Sequence, residues 1–352
     1  MATTLTDWRL PENRREAFQR FYSFHLKYQS HPGLVYSFLP GIAEAYELDE
    51  DQRAWLAWLN GNTQNPVMSM LLLDAAPTHK DWECAVAFWN QHFKLMDFDT
   101  DRRHQKSKFG IATARWAEMV GPHPAAGWQN AAIMGWEDTW RYANEQPFMG
   151  RLSAWSMTEY ARILLGNEIP DAGTWMFNDV SGSRSHRNGT AVVAGYDATY
   201  WEAEVPKVLG IVGELEAFAD SLLAEAIERN PSSPDVGRLT MESALCTYKS
   251  WHKPNRRYPN VYSDMAYLRL KKAEARFGKR FELLWQIRHD SLPYYLRLED
   301  MPDDPGLTAV KQNHYLQTGE VIMMDRDFPD MESEFNHNVN VGAYGPRKDP
   351  KW

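Results

Sequence analysis

Apolar and aromatic side chains recur at i, i+3 and i+4 along almost the whole of this chain, and that period commits it to helices. One stripe follows Thr78-His79-Lys80-Asp81, a cap with an acid three residues on, and runs through Ala85, Phe88, Trp89, His92, Phe93 and Met96. Comparable stripes cover 18–28, 51–60, 109–120, 128–142, 153–165 and 206–229, then 241–248, 264–277 and 281–287. Gly121, Gly166 and Asn230-Pro231 supply stops. Strand signals are confined to two short stretches, 190–194 and 320–324. At 352 residues the chain can bury a large core without staples. The expected fold is mainly α: one large helical domain over 1–325 with few short strands, an internal seam at 230–235, and an extended arm over 326–352, where periodicity gives way to Asp, Asn and Gly.

Several function classes lose their footing on composition and motif. Cys84 and Cys246 stand far apart without a Cys-x-x-Cys, so neither a disulfide framework nor a cysteine metal site is expected. No run approaches the roughly 18 apolar residues of a membrane span, and the start of the chain lacks a leader pattern, which predicts a soluble, intracellular protein with no membrane partner. There is no HExxH, and only His79-Lys80-Asp81 has a His-x-carboxylate spacing, at a helix cap; no metal is expected. The absence of a Walker loop and of a strand-borne G-x-G-x-x-G argues against triphosphate hydrolysis and dinucleotide binding, and no cofactor is expected. A G-x-S-x-G elbow is missing too.

Three polar constellations remain. The first, Asn60-Gly61-Asn62-Thr63-Gln64-Asn65-Pro66, sets four carboxamides between a Trp-rich helix and the apolar run Val67 to Leu73. Carboxamides donate and accept, which suits a base edge or another uncharged polar ligand. The plainer reading is a turn with an Asn cap and Pro66 at the first helical position, and it accounts for about two of the four. The second, running from Asn178 and Asp179 through Ser181, Gly182, Ser183, Arg184, Ser185, His186, Arg187 and Asn188 to Gly189, reads as a loop whose amides, hydroxyls and guanidinium forks suit an oxyanion or phosphate. A solvated loop is the alternative.

The third constellation is basic. Residues 243–280 carry ten cations against two anions, a local +8 on a chain of −9. Within it Lys249, Trp251, His252, Lys253, Arg256, Arg257 and Tyr258 interleave charge with rings, and prolines keep the strip out of a helix. Such a strip can hold a sugar-phosphate backbone while stacking bases. About half of the charges over 269–280 read equally well as a solvated helix face. Fifteen Trp, sixteen Tyr and fifteen Phe exceed what packing requires, leaving rings for flat ligands.

The segments Phe21-Tyr22-Ser23-Phe24-His25-Leu26-Lys27-Tyr28, Asn60 to Pro66, Gly150-Arg151-Leu152-Ser153-Ala154-Trp155 and Gly182 to Gly189, in that order and spacing, resemble the bacteriophage α-glutamyl/putrescinyl thymine pyrophosphorylases, or amino acid:DNA transferases. The resemblance runs over most of the chain. It implies a helical enzyme akin to DNA glycosylases, working in the cytoplasm of an infected bacterium. A separate kinase pyrophosphorylates 5-hydroxymethyluracil in phage DNA, and the transferase replaces the pyrophosphate with an amino acid or amine. On this reading the target base leaves the stack for a pocket, where Asn62, Gln64, Asn65 and Asn188 hydrogen-bond the pyrimidine. Arg184, Arg187 and Arg151 stabilise the departing pyrophosphate. Asp179 or His186 removes the proton of the incoming amine. A helix-hairpin-helix echo at Leu39-Pro40-Gly41-Ile42 has Ala43 where a second glycine is expected. The alternatives are a glycosylase-like hydrolase and a non-catalytic DNA-binding protein.

Overall fold

The computed structural model describes residues 10–29, 34–179, 184–197, 200, 209–251, 263–292 and 297. Among them are fourteen α-helices and no strand. In chain order these are α1 (Arg14–Tyr28), α2 (Val35–Ala45), α3 (Glu50–Thr63), α4 (Pro66–Ala75), α5 (Trp82–Gln91), α6 (Phe109–Val120) and α7 (Pro124–Met134). They continue with α8 (Trp136–Glu145), α9 (Arg151–Leu165), α10 (Arg184–Val193), α11 (Val212–Arg229), α12 (Arg238–Trp251), α13 (Ser263–Phe277) and α14 (Glu282–Ser291). No helix of the described residues is long and apolar enough to cross a membrane.

Local chemistry sets most boundaries. Asp49 and Gln52 close a reciprocal capping box on α3, with Asp49 Oδ1 accepting from the Gln52 amide at 2.8 Å and Gln52 Oε1 accepting from the Asp49 amide at 3.0 Å. Asn65 caps α4 by accepting from the Val67 amide, and Pro66 opens that helix. Gly121 and Gly166 end α6 and α9 at positive φ, and Asn230 ends α11, as expected. One expected stripe is two helices: at Gly135, φ 102°, the chain leaves α7 and re-enters as α8.

Three further expectations are corrected. Residues 190–194 are not a strand, because α10 continues to Val193. The supposed loop from Asp179 to Gly189 is therefore helical from Arg184 onward. The segment Leu39-Pro40-Gly41-Ile42 lies inside α2 rather than at a hairpin, and a Cβ on Gly41 would stand 2.6 Å from Ile287 Cδ1 of α14, so this glycine serves helix packing. The candidate strand at 320–324 and the arm at 326–352 lie outside the described residues.

The chain divides into two compact units, Met1–His31, Trp175–Asp264 and Leu292–Trp352 forming one, Pro32–Thr174 and Met265–Ser291 the other. Residues 230–235 fall within the first. In the first unit α10 lies along α12, and α1 packs on α11 and α12. The approach of α10 to α12 depends on Gly189, whose Cβ would stand 2.3 Å from the Leu245 carbonyl oxygen. Phe18, Tyr22, Leu222, Leu245 and Tyr248 are buried there, each apolar side chain contributing about 1.5–3 kcal/mol. In the second unit α3 pairs with α9, and both are buried along most of their lengths. Trp116 stacks on Trp55 and Trp58, with centroids 5.4 and 5.0 Å away, so much of the aromatic excess is core.

Candidate active site

The carboxamide cluster belongs to the second unit and is buried throughout. Asn60, Asn62 and Thr63 form the last turn of α3, Gln64 follows in the left-handed region at φ 47°, and Asn65 starts α4. Internal bonds occupy much of it. Asn62 donates to the Trp58 carbonyl at 3.0 Å and accepts from Arg102 Nη2 at 2.8 Å. Asn60 Oδ1 accepts from Ser69 Oγ, and Asn65 Nδ2 donates to Asp99 Oδ2 at 3.1 Å. The plainer reading of the sequence thus holds for Asn65 and Pro66. Two buried amide donors, Asn60 Nδ2 and Gln64 Nε2, meet no protein acceptor.

Arg102 escaped the sequence reading. It is 2% exposed and also donates to the Phe148 carbonyl at 2.9 Å. A buried guanidinium among carboxamides leaves no spacing signature, since its partners lie 40 and 46 residues away. Three non-glycine residues around it, Gln64, Thr100 and Phe148, have φ of 47°, 47° and 59°. Each such conformation costs about 1–3 kcal/mol, and strain of this kind gathers at functional sites. Burial raises the carboxyl pKa of Asp99, whose Oδ2 also meets Arg269 Nε at 2.8 Å. Arg151, at the start of α9, is buried with its guanidinium over the Trp155 ring at 5.0 Å.

In the first unit the polar sequence around Asp179 becomes a clamped turn feeding a helix. Trp175 and Phe177 are buried, Met176 sits at φ 54°, and the Asp179 amide donates to the Met176 carbonyl. Two consecutive residues of α10 grip this turn. His186 Nε2 lies 3.1 Å from the Trp175 carbonyl, and Arg187 Nη1 donates to the Phe177 carbonyl at 2.9 Å and to the Asp179 carbonyl at 3.4 Å. From the other side Glu216 accepts from the Phe177 amide and Asp220 accepts from Trp175 Nε1. His186 Nδ1 lies 3.2 Å from Glu242 Oε1 of α12, a partner 56 residues on that no sequence spacing announces. His186 and Arg187 are 0% and 1% exposed and Asn188 is buried, whereas Asp179 is half-buried. Arg184 occupies the first turn of α10, beside the positive end of its dipole.

The basic region divides. Along α13 and just past its end the cations are paired within their own unit: Arg269 with Asp99, Lys272 and Arg276 with Asp97 at 2.9 and 2.7 Å, and Lys279, after the helix, with Asp74. Burial works against ionised Asp97, but hydrogen bonds from Lys272 and Arg276 outweigh it and lower its pKa. There carboxylates from distant segments offset the local excess by pairing with it. Lys249 is 4% exposed within α12, so it does not stand on an open strip. Trp251 ends that helix, and His252, Lys253, Arg256, Arg257 and Tyr258 lie outside the described residues. Among the described residues no group of three or more His, Cys, Asp or Glu is placed to hold a metal ion.

A helical protein with polar, strained centres in both units is the class these features define. The family description "amino acid:DNA transferase" matches residues 37–257, a span that holds both centres, and the chain belongs to that family. It is also similar to a protein of Salmonella phage ViI named serinyltransferase, 24% identical over 345 residues, covering 89% of this chain and 82% of that protein. No solved structure matches. The protein is thus an amino acid transferase acting on DNA.

Proposed function

We propose that this transferase displaces pyrophosphate from 5-pyrophosphoryloxymethyluracil in phage DNA with an amino acid or amine. The observation that carries the reading is the family match over 37–257, enclosing one segment where Asp179, Arg184, His186 and Arg187 fall together. The nitrogen of the amine attacks the exocyclic methylene carbon, the C–N bond forms, and the C–O bond breaks with its electron pair leaving on pyrophosphate. Charge grows on the leaving group, so a guanidinium fork and a helix N-terminus lower the barrier. Arg184, Arg187 and Arg151 are the candidates for that role, and Arg184 stands at the start of α10. A carboxylate or imidazole, Asp179 or His186, takes the proton of the amine.

The pyrimidine, rotated out of its stack, presents two carbonyl oxygens and one N–H. Asn60 Nδ2 and Gln64 Nε2 are donors that those oxygens would satisfy. Asn62 and Asn65 hold the shape of the turn in which Gln64 sits, and Asn188 is buried on α10. DNA carrying the pyrophosphorylated base, made by an upstream hydroxymethyluracil kinase, is the partner. Backbone grip falls to Lys253, Arg256 and Arg257, with Trp251, His252 and Tyr258 available for stacking. The name of the Salmonella phage relative puts serine first among the amines to try.

The test is single-turnover pyrophosphate release on kinase-treated hydroxymethyluracil DNA. Arg184→Lys keeps the charge but not the fork, and release should slow by about tenfold or more with DNA binding unchanged. A wild-type rate in Arg184→Lys would refute the assignment of the leaving group.

A further inference from the structure

The sequence leaves the base open between Asp179 and His186, and the geometry points to Asp179. We infer that His186, held by Glu242, is a positioning residue that fixes the Trp175–Asp179 turn, and that the Asp179 carboxylate takes the proton of the amine. This rests on the pyrophosphate-displacement reading above.

A base must turn a lone pair toward its substrate. His186 Nε2 faces the Trp175 carbonyl at 3.1 Å, and a carbonyl only accepts, so Nε2 carries a hydrogen and donates it. The other ring nitrogen, Nδ1, is 3.2 Å from a Glu242 oxygen. Both nitrogens therefore stand within 3.2 Å of protein oxygens, in a ring that is 0% exposed and lies 5.2 Å, centroid to centroid, from Phe177. The Trp175 carbonyl fixes the ring's Nε2–H, so that N–H ends on main chain, and the Glu242 carboxylate lies against the Nδ1 side of the ring.

Arg187, the next residue, does the same to the Phe177 and Asp179 carbonyls. Together they hold three carbonyls of one five-residue turn, which also contains the left-handed Met176. Such a turn is held against its own strain only by what grips it. The residue it delivers is Asp179, half-buried where His186 and Arg187 are fully enclosed. Transfer then balances simply: the C–N bond forms, the C–O bond to pyrophosphate breaks, and the amine proton passes to Asp179.

The experiment measures pyrophosphate release by the full-length protein, with kinase-treated hydroxymethyluracil duplex and a mixture of the twenty standard amino acids and putrescine. His186→Gln keeps an N–H near the Nε2 position and should stay within about fivefold of wild-type kcat. His186→Ala and Glu242→Ala should fall about a hundredfold in kcat, with KM for DNA unchanged, because a displaced turn misplaces the base without loosening DNA. Asp179→Asn should fall at least as far, and Asp179→Gly should regain rate with added formate. If the alanine variants do not fold, His186→Gln against Asp179→Asn carries the comparison.

Loss in His186→Gln equal to that in His186→Ala, with Asp179→Asn near wild type, would make His186 the base and overturn the inference while the reaction stands. Wild-type rates in all the Asp179 and His186 variants would move the chemistry elsewhere and overturn it too. No release by the wild-type protein would sink the displacement reading, and the inference with it.

Discussion

Gln64 shows how far a residue can be read before its surroundings are known. Its chemistry was legible in a cluster of carboxamides, but its backbone was not: φ 47° is a left-handed cap that glycine fills more comfortably. Gln64→Gly should therefore raise stability by up to about 1 kcal/mol, while transfer slows tenfold or more if Gln64 Nε2 reads the pyrimidine. Thermal melts beside a turnover assay check it, and unchanged turnover would leave the cluster a structural turn. Asn62 needs a different expectation, since its amide is bound to Arg102 and to Trp58. Arg102→Met should cost about 1–3 kcal/mol for each polar group it strands, read as a lowered melting temperature. Nothing in the sequence set Arg102 apart from Arg103, because burial is decided by the packing of segments far apart in the chain.

At the scale of elements, helices with capping chemistry were legible and α10 was not. The stops at Gly121, Gly166 and Asn230-Pro231 act through local backbone preference, which sequence carries. Residues 184–193 carry Ser185, Asn188 and Thr190, an internal glycine and a β-branched end, and each of these argues locally against a helix. Contact with α12 overrides that preference, and Gly189 permits the contact rather than breaking the helix. Gly189→Ala should cost about 1–3 kcal/mol, measured by urea unfolding; a neutral effect would mean that the two helices separate easily. The α1–α11 seam has its own signature. Hydrogen bonds from Arg229, helped by Arg20 and opposed by burial, lower the Glu16 carboxyl from 4.5 to about 2. A carboxyl depressed on folding stabilises above its unfolded pKa, so this contribution is complete above about pH 4.5 and is lost as pH falls to about 2. Glu16 is 45% exposed, which limits the contribution to under about 1 kcal/mol. Glu16→Gln should flatten the acid limb of stability within that window, as followed by melts across pH.

Across the whole molecule, net charge misleads in both directions. The chain is acidic, yet a DNA substrate follows from its family; the +8 stretch looks like a DNA face, yet cations over 269–279 are paired with Asp74, Asp97 and Asp99. Carboxylates that meet those cations only in the fold could not be counted along the chain. Lys253→Ala and Arg257→Ala should each weaken DNA binding and flatten its salt dependence by about one counterion, whereas Lys272→Ala should leave the slope alone. The central claim is that an amine replaces pyrophosphate on a thymine-like base, and nucleoside mass spectrometry tests it most directly. Kinase-treated hydroxymethyluracil DNA incubated with the protein and an amine mixture should yield a new aminated nucleoside, with one pyrophosphate released per adduct. Free base with an abasic strand, or DNA unchanged after incubation, would contradict it.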